Sequence, residues 1–318
     1  MGLRYMVIGA GGVGAPIGAF LTRSGADTTL IARGKHLAAM QENGLTIEPN
    51  EGAPWTVPVK AADMDGFLAQ RAQGTPGPDV IFVCVKGYSL ADTVPFIREA
   101  AEKNTVVIPV LNIYGTGRTL QNELPELLVT DGCIYISANL IGPGRIRQHG
   151  SIFRIVYGLP DHKTDNAVLR QVAADLTKAG IDPVYSPYVE RDTLLKFSYV
   201  SPMAACGQYY HAEAAEMQQP GEIRDSFARL IGEIVALADK MGVPLEETPG
   251  ALIENNLRIL DALAPTASTS MQRDIAAGKQ SEVDGLIYQV VRLADGYGLA
   301  LPEYHKAAEK IRAELSAR

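Results

Sequence analysis

The chain reads as an α/β protein, with an N-terminal Rossmann-type dinucleotide-binding domain and a second, all-helical C-terminal domain. Three observations predict this. A strand, glycine turn, helix, strand unit occupies residues 5–35. Continuous apolar runs of strand length, at 79–85 and 105–111, alternate with helical patterns, as expected of parallel strands covered on both faces. After Ser186-Pro187 the β signal stops and every apolar pattern has helical spacing. The expected domains are 1–187 and 188–318; at 318 residues the chain exceeds what one core usually fills.

In the opening unit, Tyr5-Met6-Val7-Ile8 leads into Gly9-Ala10-Gly11-Gly12-Val13-Gly14, which fits G-x-G-x-x-G. Gly9 lets the chain turn sharply, Gly11 lets a pyrophosphate approach the backbone, and Gly14 lets helix and strand pack closely. The helix start, with Gly12 and Val13 leading into it, offers free N–H groups and about half a positive charge to a phosphate. The second strand ends in Arg33-Gly34-Lys35-His36. NAD binders carry an acid there for the ribose hydroxyls, whereas Asp27 stands at the opposite end of this strand. Arg33 can hold a 2′-phosphate through paired N–H groups and Lys35 adds a point charge, so the expected cofactor is NADP (NADPH).

Beyond Arg33 a short helix runs to Asn43-Gly44, followed by a small β excursion at 45–48 and 55–59 in which Trp55 is a packing residue, and then a polar loop at 70–78. The strand at 79–85 ends at Lys86-Gly87-Tyr88, and a helix starts after Ser89, an expected N-cap. The strand at 105–111 ends at Asn112. Gly9, Arg33, Lys86 and Asn112 thus share the C-terminal edge of the expected parallel sheet, where ligands bind in such folds. Three strands are expected at 133–141, 144–149 and 152–157, then a helix at 167–178 and a last strand at 182–185. The second half carries helical patterns at 223–238, 245–263 and 283–297, and a final amphipathic helix.

A net charge of −7 argues against nucleic acid and anionic membranes as main partners. No apolar run reaches the roughly 18 residues of a membrane helix, and the N-terminus lacks the shape of a signal peptide. The three cysteines, Cys84, Cys133 and Cys206, lie far apart, and the histidines show no ligand spacing, so neither a disulfide framework nor a metal is expected. The chain reads as cytoplasmic.

Lys196 lies among apolar neighbours, Leu194, Leu195 and Phe197. Such a lysine either snorkels from a packed face or is held in a cleft. Val200 and Ala204 follow on its face of the helix. Downstream, Ser270-Met271-Gln272-Arg273-Asp274 precedes a helix that stalls at Gly278, and Glu282 opens the next, where a carboxylate also complements the helix dipole.

The glycine turn, Arg33, Lys86, Asn112, Lys196 and the Ser270-to-Asp274 run followed by Glu282 together resemble the ketopantoate reductase (2-dehydropantoate 2-reductase) family, in order and over nearly the whole chain. Ser-Met-x-x-Asp with a glutamate at this spacing is the most specific part. The resemblance implies an oxidoreductase that uses NADPH to reduce a 2-oxo acid, ketopantoate to pantoate in pantothenate biosynthesis. It implies Lys196 as the general acid that protonates the forming alkoxide; an ammonium titrating near 10.4 in water holds its proton at neutral pH. Glu282 would hold that lysine or bind a substrate hydroxyl, and Ser270 would bond the substrate's carboxylate or hydroxyl. Lys86 and Asn112 would line the nicotinamide and substrate site, with Asn112 and Glu282 serving both molecules. The chain departs from the family pattern at Val200 and Ala204, where the family carries asparagines, and at Ile113, where it carries glycine. A site with fewer polar groups binds a hydroxylated substrate less well. Two alternatives therefore stand beside ketopantoate: a more apolar carbonyl or an imine as substrate, or an NADPH-binding sensor without catalysis. The implied partner is a small molecule, with a homodimer as the candidate assembly.

Overall fold

The computed structural model describes residues 2–317. They form two compact units. One comprises the described residues up to Leu111 together with Gly115–Val189; the other comprises Asn112–Tyr114 and the chain from Glu190 onward.

The first unit is the α/β half. Its elements in chain order are β1 (Arg4–Ile8), α1 (Gly14–Arg23), β2 (Asp27–Ile31), α2 (Gly34–Asn43), β3 (Leu45–Glu48), β4 (Trp55–Val57), β5 (Lys60–Ala62), α3 (Met64–Ala72), β6 (Val80–Val83), α4 (Leu90–Ala100), β7 (Val106–Pro109), α5 (Thr116–Glu123), β8 (Leu128–Val129), β9 (Asp131–Gly142), β10 (Arg145–Gly158), α6 (Ala167–Ala179) and β11 (Asp182–Tyr185). Six strands make a parallel sheet in the order β5-β2-β1-β6-β7-β8. Every residue of β6 and β7 is buried, which is why these strands read as unbroken apolar runs. The strand order reverses between β1 and β6, the position at which such sheets open a crevice for ligands. Ile8 is in register with both Ile31 and Val83, and Val83 with Pro109. The chain therefore leaves four neighbouring strands at one level.

A second sheet runs β11-β10-β3-β4, with β9 antiparallel to β10. The strands expected at 144–149 and 152–157 are one strand, β10. Its register against β9 shifts between His149 and Phe153, and Gly150 has φ +69°. A bulge glycine looks like a turn in sequence but bends a strand without ending it. α5 lies in a stretch read without any element. Ser89 stands at the N-cap of α4, but its side chain does not cap; a 3₁₀ turn, Gly87–Ser89, leads in instead. Trp55 is packed edge-on by Phe20 at 5.2 Å between ring centroids and covered by the Arg23 guanidinium at 4.4 Å.

The second unit is helical: α7 (Val189–Tyr210), α8 (Ala214–Gln218), α9 (Glu222–Lys240), α10 (Ala251–Asp261), α11 (Ser270–Ala276), a π-helical turn (Asp284–Tyr288), α12 (Gln289–Gly296) and α13 (Pro302–Ser316). α7 carries Pro202 in its interior. Proline has no N–H, so the carbonyl four residues back, that of Ser198, loses its helical partner. Asn256 of α10, 2% exposed, supplies one: its Nδ2 donates to Ser198 O at 3.1 Å. The helix expected over 245–263 begins only at Ala251. Gly250 has φ +85°, and the Glu246 carboxylate accepts from the N–H groups of Gly250 and Leu252, both at 2.9 Å. The Ser270-to-Asp274 run does not precede a helix; it lies within α11, capped by Thr269, whose side chain pairs with Gln272. The helix expected over 283–297 opens as the π turn. Among the described residues, no helix is long and apolar enough to cross a membrane.

Candidate active site

The first group of candidate residues surrounds the glycine turn after β1. Gly9 has φ +94°, and a Cβ there would meet the Cys84 backbone at 3.0 Å. A Cβ on Gly14 would meet the Gly9 carbonyl oxygen, Val7 Cγ1 at 2.9 Å and Cys84 Cβ at 3.0 Å, so α1 starts hard against β1 and β6. A Cβ on Gly12 would strike the Ala138 carbonyl of β9, a constraint that no motif announces. Gly11 differs: a Cβ there meets nothing within 4 Å. The N–H groups of Gly11 and Gly12 have no hydrogen-bond partner among the described residues. Val13 is the N-cap of α1 and brings no capping side chain. The turn therefore presents backbone donors and the positive end of a helix dipole to open space, which suits a pyrophosphate. Beside it, desolvation pushes the Cys84 thiol up, away from the reactive thiolate form.

Arg33 and Lys35 follow β2. Arg33 is the N-cap of α2, and both side chains are exposed. Neither makes a side-chain hydrogen bond or ion pair among the described residues. Two uncompensated cations beside the turn are a fitting seat for a phosphate ester. Lys86 is half-buried at the N-cap of the 3₁₀ turn after β6.

The second group lies in the helical unit. Lys196, on α7, is half-buried, and its Nζ donates to Asn112 Oδ1 at 2.6 Å. An ammonium has no acceptor, so this contact fixes which amide atom faces it. Asn112 is the first of three consecutive residues that the helical unit engages. Ile113 packs on Gly285 of the π turn, where a Cβ would run into its Cδ1, and into Cγ1 at 2.8 Å and Cγ2 at 3.0 Å. Tyr114 donates from its hydroxyl to Glu190 Oε1 at 2.8 Å, accepts at its carbonyl from Gln289 Nε2 at 3.0 Å, and sets its ring 6.2 Å from that of Phe197.

Glu282 lies two residues before the π turn. Glu282 is 5% exposed, and its carbonyl accepts from Leu286 N at 3.0 Å. The Leu286 carbonyl, within this turn, accepts from the Ser201 hydroxyl at 2.5 Å; Ser201 is bonded in turn to the Tyr304 hydroxyl at 2.6 Å. Such π insertions recur at functional sites. Ser201 lies on α7 just beyond Lys196, so one helix carries the lysine and holds the turn that follows Glu282.

Ser270 is not joined to this cluster by any hydrogen bond among the described residues. Its helix meets α7 at Gly207, where a Cβ would collide with Gln272 Cδ at 2.8 Å, about 16 Å of helix beyond Lys196. Sequence reasoning missed Gly285 and Tyr114, which carry no chemistry of their own. It also passed over His36, which stands beside the basic pair.

A family model described as "Ketopantoate reductase PanE/ApbA" matches residues 5–162, and one described as its C-terminal part matches residues 189–314. The uncharacterized oxidoreductase YkpB of Bacillus subtilis is 26% identical over 303 residues, covering 94% of this chain and 95% of that protein. The 2-dehydropantoate 2-reductase of Aquifex aeolicus is 24% identical, with 99% and 97% covered. Among solved structures, a D-mandelate dehydrogenase with NADH and anilino(oxo)acetate superposes with a TM-score of 0.83 at 20% identity, covering 98% of this chain and 99% of that one.

Proposed function

The chain belongs to the ketopantoate reductase family, and from that premise we propose that it is an NADPH-dependent reductase of a 2-oxo acid, with ketopantoate as substrate and pantoate as product. The observation that carries this reading is the 2.6 Å contact from the Lys196 ammonium to Asn112, a proton donor held in place by an oriented neutral amide.

When bound, NADPH supplies the hydride. The glycine turn holds the pyrophosphate through its backbone N–H groups, and Arg33 with Lys35 holds the 2′-phosphate that distinguishes NADPH from NADH. Lys196 gives a proton to the alkoxide oxygen as negative charge develops there, a contribution of about 10²–10⁴-fold in such reactions. Asn112 orients that ammonium through Oδ1, and its Nδ2 hydrogens remain for a substrate oxygen. Glu282 positions Lys196 or takes a substrate hydroxyl, and Lys86 binds on the cofactor side. Ser270 would bond the substrate's carboxylate or hydroxyl, on a helix that would have to supply this contact independently of the Lys196 cluster.

A second reading, a substrate with a more apolar side chain, is favoured by two half-buried side chains. Ile113 stands beside Asn112, and Val200 one turn beyond Lys196. The structural likeness to a D-mandelate dehydrogenase, an enzyme named for an aromatic hydroxy acid, accords with it. The deciding experiment follows NADPH oxidation with ketopantoate and with 3,3-dimethyl-2-oxobutanoate, which lacks only the hydroxyl. Preference for ketopantoate supports the first reading, and equal or better turnover of the dimethyl acid supports the second. Binding of NADPH without turnover of these or any other carbonyl or imine leaves a sensor.

A further inference from the structure

We propose that His36 is a positioning residue for the dinucleotide, aiming the Gly11 N–H at its pyrophosphate; this rests on the cofactor reading above. The imidazole is half-buried and bonded at both nitrogens. Gly144 N–H donates to Nδ1 at 2.9 Å, and Nε2 lies 2.8 Å from the Ala10 carbonyl oxygen. Because Nδ1 accepts, the ring proton sits on Nε2 and is donated to Ala10. Burial holds the ring's pKa below its ordinary value, against the opposing pull of the Ala10 carbonyl, which favours this neutral form.

A trans peptide directs its C=O and its N–H to opposite sides. Pinning the Ala10 carbonyl therefore turns the Gly11 N–H away from His36. The surroundings of Gly11 are open, and its N–H has no partner among the described residues. The two flanks of this peptide are already fixed, since Gly9 N donates to Ile31 O at 3.1 Å and Ala15 N to Gly11 O at 3.0 Å. Without the imidazole, the Ala10–Gly11 plane would be the part of the turn free to rotate. His36 also sits in the first turn of α2 with Lys35, just after the Arg33 N-cap. One ring thus ties together the phosphate turn, the basic pair and the β9–β10 turn at Gly144.

The test compares NADPH and NADH dissociation constants, read from nucleotide fluorescence, for the wild type, His36→Ala, His36→Gln and Arg33→Ala, with thermal melting of each. Both nucleotides carry the pyrophosphate, so His36→Ala should weaken both by the same factor, about tenfold for one oriented hydrogen bond to a charged group. KM for NADPH should rise in proportion, while turnover at saturating NADPH falls much less. Gln can place an amide N–H where Nε2 stands, so His36→Gln should recover most of the affinity. Arg33→Ala should weaken NADPH alone. Unchanged affinities in His36→Ala, or a loss confined to NADPH, would overturn the proposal. So would a Gln variant no better than Ala. Should His36→Ala fail to fold, the Gln variant decides: near-wild-type binding of both nucleotides supports the assignment, and a loss of about tenfold in both overturns it. A wild type that binds neither nucleotide removes the cofactor reading and this inference together.

Discussion

The contact between Ile113 and Gly285 makes a prediction of sign. Replacing Gly285 with alanine has two effects. In a helical turn, alanine is favoured over glycine by about 1 kcal/mol. Against this, the new methyl meets three of the four carbons of the Ile113 side chain, including Cγ1 at 2.8 Å and Cγ2 at 3.0 Å. Because Cγ2 branches directly from Cβ, rotating Cδ1 away does not relieve the clash, and overpacking of this kind costs about 1–3 kcal/mol. Gly285→Ala alone should therefore leave stability level or lower it by up to about 2 kcal/mol. In an Ile113→Ala background the clash is gone and only the helical gain remains, so the same substitution should stabilise by about 1 kcal/mol. Urea unfolding of the four proteins in the cycle measures this, with an expected coupling of about 1–3 kcal/mol. Turnover should follow: displacing Ile113 drags Asn112 off the Lys196 ammonium, so Gly285→Ala should lower kcat about tenfold or more, with part of it returned in the double variant. Effects that add within about 0.5 kcal/mol would show that Ile113 yields freely and that the contact positions nothing.

Three further outcomes follow. Lys196→Met should cost about a hundredfold or more in kcat with NADPH affinity unchanged; wild-type turnover in that variant would remove Lys196 from the chemistry. Arg33→Ala should lower the ratio of NADPH to NADH affinity by about tenfold or more, measured by nucleotide titration, since among the described residues the Arg33 side chain has no hydrogen-bond or ion-pair partner to satisfy. Asp79 accepts from the backbone N, Nε and Nη2 of Arg4, and the Arg4 side chain is the main cause of its lowered carboxyl pKa. The folded value lies below the unfolded one, so this stabilisation is present above about pH 4 and is lost as pH falls through the depressed value. Melting temperature against pH should show that loss in the wild type and a flatter acid limb in Arg4→Met.

The glycine turn, the buried parallel strands and the switch to helix were legible because each depends on local chemistry: positive φ, unbroken apolar runs, helical spacing. The bulge in β10 was not, since Gly150 looks the same in a turn and in a bent strand until the partner strand is seen. The late start of α10 was hidden because Glu246 acts on amides four and six residues ahead. Lys196 and Asn112 could each be singled out, but their pairing joins positions 84 residues apart. Gly285 gave no signal at all. Its absent side chain matters only because Ile113 occupies the space.

Residues 112–114 show why an asparagine suits this position. An aspartate would also accept from Lys196, but it would add a negative charge where the proposed mechanism forms an alkoxide, and it would bring no N–H. A leucine would match its bulk and leave the half-buried ammonium without this acceptor, a costly arrangement. The amide accepts through Oδ1 and, among the described residues, keeps both Nδ2 hydrogens uncommitted. It can therefore hold the ammonium and, in the proposed mechanism, still offer donors to an oxyanion, the pairing that stabilises developing charge most effectively when the donors are fixed beforehand. Ile113 and Tyr114 supply that fixity through packing on Gly285 and bonds to Glu190 and Gln289. The placement of the amide that holds the Lys196 ammonium thus depends on the two residues that follow it in the chain.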